Sequence, residues 1–268
     1  VVSPPRRGAQ RRRLGQNFLR DPNLLDAIVR DSGVGAEDVV LEIGGGGGAL
    51  TERLAPAVSH VHVVEIDDAL RGELEPLAAE LGNVELVWGD AMRLDLAALA
   101  PAPDAVVSNL PYSVATPVLL RTIEELPSVA SWTVMVQLEI AERLAGKPGT
   151  RTYGAPSVMA QLACEVEIVR RVDPAVFTPR PRVGSAVLRL RRRGAAGGPD
   201  LRRLVRGAFA HRRKTLVGSL RLAEPELDPD VVRAALGAAG IDESARAETL
   251  APEDFERLAA NLELGAPR

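Results

Sequence analysis

Five glycines in a row, residues 44–48, separate an apolar run, VVLEI at 39–43, from a helix-like stretch, ALTERLA at 49–55. With no side chains to hinder it, such a segment turns tightly at the end of a strand. It also lets a ligand approach the backbone where the next helix offers unpaired N–H groups. A flexible linker would not interrupt a strand and a helix in this way. The surrounding pattern agrees. Four apolar runs, VVLEIG (39–44), HVHVVEID (60–67), VELVWGD (84–90) and DAVVSNLPY (104–112), are each set apart by helix-like or loop material. That alternation predicts an α/β fold with a mostly parallel sheet. A fifth run, WTVMVQ (132–137), leads into helix-like LEIAERLAG. The β-like segments at 165–172 and 185–193 lie close enough to pair, so the sheet is expected to end in an antiparallel hairpin.

Before the first strand, Asp21 and Pro22 followed by Leu24, Leu25, Ile28 and Val29 have the cap, first-turn proline and spacing of an amphipathic helix ending near Gly33. GAAGGPD at 194–200 reads as a linker. Beyond it, LRRLVRGAFAHRRKTLVGSL, DPDVVRAALGAAG and APEDFERLAANLEL have helical spacing. The expected organisation is a basic arm at 1–20, an α/β domain at 21–193, the linker, and a small helical domain at 201–268.

A net charge of −3 hides a strong asymmetry. Residues 1–20 hold six arginines and no acid, residues 180–221 hold thirteen Lys/Arg against Asp200 alone, and residues 222–268 hold eleven acids against four arginines. The two basic stretches are candidates for facing phosphates, among them Arg202, Arg203, Arg206, Arg212, Arg213 and Lys214. The arginine-rich start also has a transit-like composition, but without the usual amphipathic segment before QNFL it is read as a flexible arm.

With 46% hydrophobic and 26% charged residues, and no apolar stretch near the roughly 20 residues a bilayer crossing needs, the expectation is a globular protein without a membrane partner. One cysteine, Cys164 in the apolar run MAQLACEVEIV, excludes an internal disulfide, reads as a core thiol and fits a cytoplasmic setting. His60, His62 and His211 have no carboxylate or thiol at metal-ligand spacing, so no metal is expected.

Glycine loops serve nicotinamide dinucleotides as well as S-adenosylmethionine, and the loop alone leaves both open. The acids narrow the choice. Glu65, about twenty residues beyond the first glycine, ends the second strand where a carboxylate can accept ribose hydroxyls. Asp90 ends the third, where it can accept from an adenine amine. At the end of the fourth strand stands NLPY. An adenine exocyclic amine is a poor nucleophile because its lone pair is delocalised into the ring. The Asn109 side-chain oxygen and the Leu110 carbonyl would accept its two N–H bonds and draw the nitrogen towards a pyramidal shape, its lone pair aimed at a methyl sulfonium. Pro111 would stiffen that carbonyl and Tyr112 would stack on the base. Displacement at an activated sulfonium needs positioning more than a strong base, which suits a chain with so few histidines.

From LGQNFL at residue 14 to HRRKTLVGSL ending at 220, the chain resembles the ribosomal RNA adenine dimethyltransferase family, and within it the bacterial small-subunit branch. The resemblance implies a Rossmann-like methyltransferase sheet and S-adenosylmethionine as cofactor, with no metal. It implies dimethylation of two adjacent adenosines near the 3′ end of 16S rRNA in a small ribosomal subunit precursor, by a protein acting as a monomer. It carries contacts with the methionine end of the cofactor onto Asn17 and Leu19, with Gln16 nearby. The EIGPGxGALT loop maps onto residues 42–51 with Gly44, Gly46 and Gly48, the ribose acid onto Glu65, the adenine acid onto Asp90 and the target-amine asparagine onto Asn109. FTPRPRVGSAV at 177–187 is similar to the family's F-x-P-x-P-x-V-x-S segment, which gives Phe177 the role of covering the target base opposite Tyr112. Gly45 stands where the family usually has proline, which should loosen the loop. Gly184 replaces the usual aspartate before Ser185. The competing readings are a nicotinamide dehydrogenase, in which NLPY has no task, a large-subunit rRNA methyltransferase conferring macrolide resistance, and a non-catalytic ribosome-assembly or transcription factor of the same fold.

Overall fold

The computed structural model describes residues 18, 19, 21–262 and 264, so Gln16, Asn17 and nearly all of the basic arm lie outside the described residues. The strands are β1 (Phe18–Leu19), β2 (Val39–Ile43), β3 (His60–Glu65), β4 (Val84–Trp88), β5 (Ala105–Asn109), β6 (Ser131–Gln137), β7 (Cys164–Val172), β8 (Phe177–Thr178) and β9 (Ser185–Arg192). Seven of them form one sheet in the order β4-β3-β2-β5-β6-β9-β7. The pairs from β4 across to β6 are parallel and β6–β9 is antiparallel. The expected hairpin is present, with its later strand inserted between β6 and β7.

Every residue of β2 is buried, as an interior strand of a sheet covered on both faces requires. From β2 the chain crosses to β3 on one side, and β5 lies on the other. That reversal opens a crevice beyond the carboxyl ends of the strands, where ligands bind in open α/β sheets. The helix Pro22–Ser32 is capped as its sequence predicts: Asp21 accepts from Leu24 N–H at 3.1 Å, and Gly33 closes it with φ of 70°. The helix expected over 49–55 is only Thr51–Leu54, continued by a 3-10 turn at Ala55–Ala57. Pro56, which has no N–H to give, prevents a longer α-helix.

By compactness the chain divides into two units, residues 1–141 with 166–192, and residues 142–165 with 193–268. The second therefore takes a segment that the sequence reading placed in the α/β domain. Tyr153 shows why. Its fully buried ring meets Phe209 edge-on at 5.9 Å, and its hydroxyl donates to the Leu250 carbonyl at 2.8 Å. Segment 142–165 thereby shares one core with the helices Pro199–Ala210 and Pro252–Ala260. LRRLVRGAFAHRRKTLVGSL is not one helix but two, Pro199–Ala210 and Leu216–Ala223, with the chain turning between them. Thr215 caps the second by accepting from Gly218 N–H, and Ser219 stitches the pair by donating to the Gly207 carbonyl at 2.8 Å. Arg212, Arg213 and Lys214 thus sit in the turn and not on a helical face.

Candidate active site

A cavity of about 210 Å³ opens at the carboxyl ends of β2, β3 and β5, and the glycine loop forms part of its wall. Gly44, Gly46 and Gly48 adopt φ of 83°, 56° and 81°, a conformation that glycine reaches without the penalty a Cβ brings. A Cβ on Gly44 would stand 3.2 Å from the Pro111 ring, so the loop and the NLPY segment lie against each other. Gly48 turns away from the cavity, and a Cβ there would overlap Leu77. Gly45 lies close against β3. A Cβ at this position would overlap Val63 Cγ1 on β3, so the absence of a side chain lets the loop pack down on the sheet. Gly44 N–H donates to the Val64 carbonyl at 2.8 Å and Gly48 N–H to the Gly45 carbonyl at 2.9 Å.

Glu65 fastens this loop. Its Oε2 accepts from Gly46 N–H at 2.9 Å, and its Oε1 from the N–H groups of Ile66 and Asp67, both at 2.8 Å. A carboxylate offers about four lone-pair sites, so these three bonds leave room for one more donor from the cavity. Burial pushes the Glu65 carboxyl up, the three N–H bonds oppose that rise, and the charge of Asp67 adds to it. Asp90 also lines the cavity, with Oδ1 accepting from Met92 N–H at 2.9 Å. Between these acids Ile66, 50% exposed, offers the cavity an apolar surface suited to a flat ring.

Asn109 ends β5 beside Met135 of β6, and Leu110 N–H continues the pairing by donating to the Met135 carbonyl at 3.1 Å. Asn109, Leu110, Pro111 and Tyr112 all line the cavity, as does Leu19 from β1. The Tyr112 hydroxyl lies 2.6 Å from Ser185 Oγ, a buried hydroxyl at the start of β9. Burial raises the Tyr112 pKa against the pull of that bond. Phe177, like Gly48, departs from the expected set. It is 3% exposed, packs in the core with Leu19 and Val172, and is not among the residues lining the cavity. Pairing of β8 with β1, which puts Phe177 opposite Leu19, turns its ring into the core.

Three supporting residues escaped the sequence reading. Ser185 anchors Tyr112, and its only sequence signal is its place in the proline-rich segment. Arg121, on the helix Ala115–Glu125, donates to the Ala91 carbonyl and, at 2.8 Å, to the Leu94 carbonyl, so it holds the turn that follows Asp90. Its i, i+4 pairing with Glu125 was visible in the sequence, but its backbone targets were not. Glu42, fully buried in β2 at the cavity wall, accepts from Thr51 Oγ1 at 2.6 Å.

Burial pushes the Glu42 carboxyl up to about 8; the Thr51 hydroxyl pulls against that shift, and the charge of Glu65 adds to it. Between the ordinary carboxyl value of 4.5 and about 8 the folded chain therefore keeps a proton that the unfolded chain has lost. Stability should fall as pH rises through that window, by up to about 1.4 kcal/mol per pH unit from this group. Urea unfolding from pH 5 to 8 should show a shallower decline for Glu42→Gln than for the wild type. The same slope in both proteins would remove Glu42 as its source.

The six basic candidates belong to the second unit. Arg203 donates from Nε to Glu224 at 2.8 Å, and Arg212 to Glu248 at 3.1 Å and to the Arg151 carbonyl. The acid-rich tail thus supplies partners for part of the basic stretch. Arg202 is half-buried, whereas Arg206, Arg213 and Lys214 are exposed.

Comparison with known proteins agrees with this arrangement. The profile of the family Ribosomal RNA adenine dimethylase matches residues 8–263. The chain is 43% identical over 252 residues to the Ribosomal RNA small subunit methyltransferase A of Rubrobacter xylanophilus, covering 92% of this chain and 93% of that one. It is 45% identical over 262 residues to the protein of that name from Kineococcus radiotolerans, covering 94% and 86% respectively. Among solved structures it is similar to a dimethyladenosine transferase from Plasmodium falciparum, with a TM-score of 0.77, 25% identity, and 90% and 95% of the two chains covered. It is also similar to the 23S rRNA methyltransferase ErmE, with a TM-score of 0.69, 31% identity, and 92% and 99% covered.

Proposed function

Because the chain belongs to the ribosomal RNA adenine dimethylase family, we propose that it dimethylates the exocyclic amines of two adjacent adenosines near the 3′ end of 16S rRNA, as a step in maturation of the small ribosomal subunit. One observation carries this reading: the NLPY segment and the glycine loop close on the same cavity, with Glu65 in its wall. The cavity suits S-adenosylmethionine. Gly44 and Gly46 bring bare backbone to the wall, Ile66 offers an apolar surface, and Glu65 keeps one acceptor site for a ribose hydroxyl. When bound, that cofactor supplies an electrophilic methyl group on a sulfonium.

The chain's own residues then bind and orient. Glu65 and Asp90 hold the nucleoside part, Leu19 borders the methionine part, and Gln16 and Asn17, outside the described residues, are assigned to the same part by the resemblance alone. Asn109 and the Leu110 carbonyl accept the two N–H bonds of the target amine, Pro111 limits the movement of that carbonyl, and Tyr112, anchored by Ser185, stacks on the base. The proton released on transfer passes to water. Arg206, Arg213 and Lys214 are the exposed cations that meet RNA phosphates, and Arg202, Arg203 and Arg212 support them. No described helix is long and apolar enough to cross a membrane. We place the protein in the cytoplasm as a monomer.

The test is to incubate the purified protein with labelled S-adenosylmethionine and unmethylated small-subunit particles, naked 16S rRNA or large-subunit particles, and then map dimethyladenosine. Adjacent dimethyladenosines near the 3′ end of 16S rRNA, formed in the small-subunit particles, are the expected product. Modification of the large-subunit RNA instead would establish the resistance-type reading, and no transfer to any RNA would establish a binding factor. In the same assay, replacing Arg206, Arg213 and Lys214 by glutamate should weaken particle binding and flatten its salt dependence, by about 0.7–0.9 in log–log slope for each phosphate no longer neutralised.

A further inference from the structure

At the far end of β3 from Glu65, three potential ligands converge that neither the cavity nor its chemistry uses. His60 and His62 are two residues apart on the strand and so share one face of the sheet. Cross-strand register places Glu85 of β4 directly beside His62. Spacing along the chain showed no acid near the histidines because this one comes from the neighbouring strand. One ligand atom from each residue lies within 4.8 Å of the others.

The proton positions make the cluster unusual. His62 Nε2 lies 2.8 Å from the Pro101 carbonyl oxygen, which can only accept, so Nε2 carries the hydrogen. In the neutral ring Nδ1 is then a bare lone pair, and it faces Glu85 Oε2 at 2.9 Å. His60 Nε2 points at the same oxygen from 3.6 Å, beyond hydrogen-bond reach. Both nitrogens are buried, and neither has a hydrogen-bond partner among the described residues. An imidazolium–carboxylate pair at His62 would satisfy one of them and leave His60 Nε2 orphaned, whereas a cation among the three atoms satisfies all of them.

We propose that His60, His62 and Glu85 bind a divalent metal ion of borderline softness, zinc above all. Two imidazole nitrogens and a carboxylate oxygen are the donor set such ions prefer. Ligand bonds of about 2.0–2.2 Å in a tetrahedron put neighbouring donor atoms about 3.3–3.5 Å apart, and the two separations from Glu85 Oε2, 2.9 and 3.6 Å, bracket that range. The Pro101 carbonyl orients the His62 ring in the way outer partners commonly fix a ligating imidazole. Glu85 is 52% exposed, which gives the ion a path from solvent and leaves a position for water. β4 is the edge strand, and β3 and β4 are the strands that lead to Glu65 and Asp90. The ion would therefore pin the sheet edge behind the two acids of the cavity.

The experiment uses untagged protein, stripped with a chelator and exchanged into chelator-free buffer. Zn²⁺ is titrated in competition with a chromophoric chelator, Co²⁺ absorption reports the coordination, and melting temperature is followed alongside. The wild type should take up one equivalent of zinc, show the visible bands of tetrahedral cobalt and melt at higher temperature with zinc. Glu85→Gln, at an exposed position where misfolding is not a concern, and His60→Gln should each bind at least about tenfold more weakly and lose the zinc-dependent rise in melting temperature. His211→Gln should behave as the wild type. A wild type with no saturable equivalent, or a Glu85→Gln protein that binds zinc as tightly as the wild type, overturns the proposal and leaves His62 and Glu85 as an ordinary ion pair.

Discussion

Replacing Asn109 by alanine is expected to slow methyl transfer by about a hundred- to a thousandfold, the effect of removing one hydrogen bond made chiefly in a transition state. Asn109, the last residue of β5, lines the cavity, and Leu110 N–H, bonded to the Met135 carbonyl, holds the adjoining backbone in place. Alanine keeps that backbone pairing, so the fold and the affinity for particles should survive. Single-turnover transfer to small-subunit particles measures the first quantity, and particle binding in the presence of S-adenosylhomocysteine measures the second. Near-normal turnover would show that Asn109 does not hold the target amine.

Glu65→Ala should cost both stability and cofactor affinity, because one carboxylate serves the loop and the ligand together. Its removal strips the acceptor from three backbone N–H groups, of which the Asp67 bond is buried. A buried donor left unpaired costs about 1–3 kcal/mol, and the melting temperature should fall by several degrees. Loss of one charge-assisted bond to a ribose hydroxyl, worth about 1.5–3 kcal/mol, should weaken cofactor binding about ten- to a hundredfold. Glu65→Gln separates the two roles. Its amide oxygen can still accept from Ile66 and Asp67, but its NH₂ faces the Gly46 donor. The melting temperature should recover further than the calorimetric affinity does. Unchanged affinity in Glu65→Ala would leave this carboxylate a purely structural role in the loop.

The two units also suggest how charge is distributed in such a chain. Thirteen basic residues in 180–221 looked like one phosphate-facing stretch in the sequence. Folding assigns Arg203 to Glu224 and Arg212 to Glu248, and the break at His211–Thr215 carries Arg213 and Lys214 into a turn. A charge run read from sequence is therefore an upper bound on the cations left for RNA, since acids distant in sequence are close in space.

What the sequence by itself determined was local. Alternating apolar runs marked β2 to β6 and the parallel class of the sheet, because strand burial leaves a pattern within a few residues. Asp21, Pro22 and Gly33 marked both ends of a helix through the backbone groups they cap or free. Glycine at 44, 46 and 48 announced a positive-φ loop at a strand end. NLPY and the acids Glu65 and Asp90 could be placed because strand ends in this topology share one edge. What only the tertiary structure decided depended on register and on packing between distant segments. Register put Glu85 beside His62, and the pairing of β1 with β8 turned Phe177 into the core. Ser185 reached Tyr112 across 73 positions, and Tyr153 tied residues 142–165 to a core built mostly from the last third of the chain. The spacing of residues along a chain records the preferences of its own backbone and of its nearest neighbours. Which distant side chain completes a hydrogen bond, an ion pair or a ligand set is fixed only when the whole core has closed.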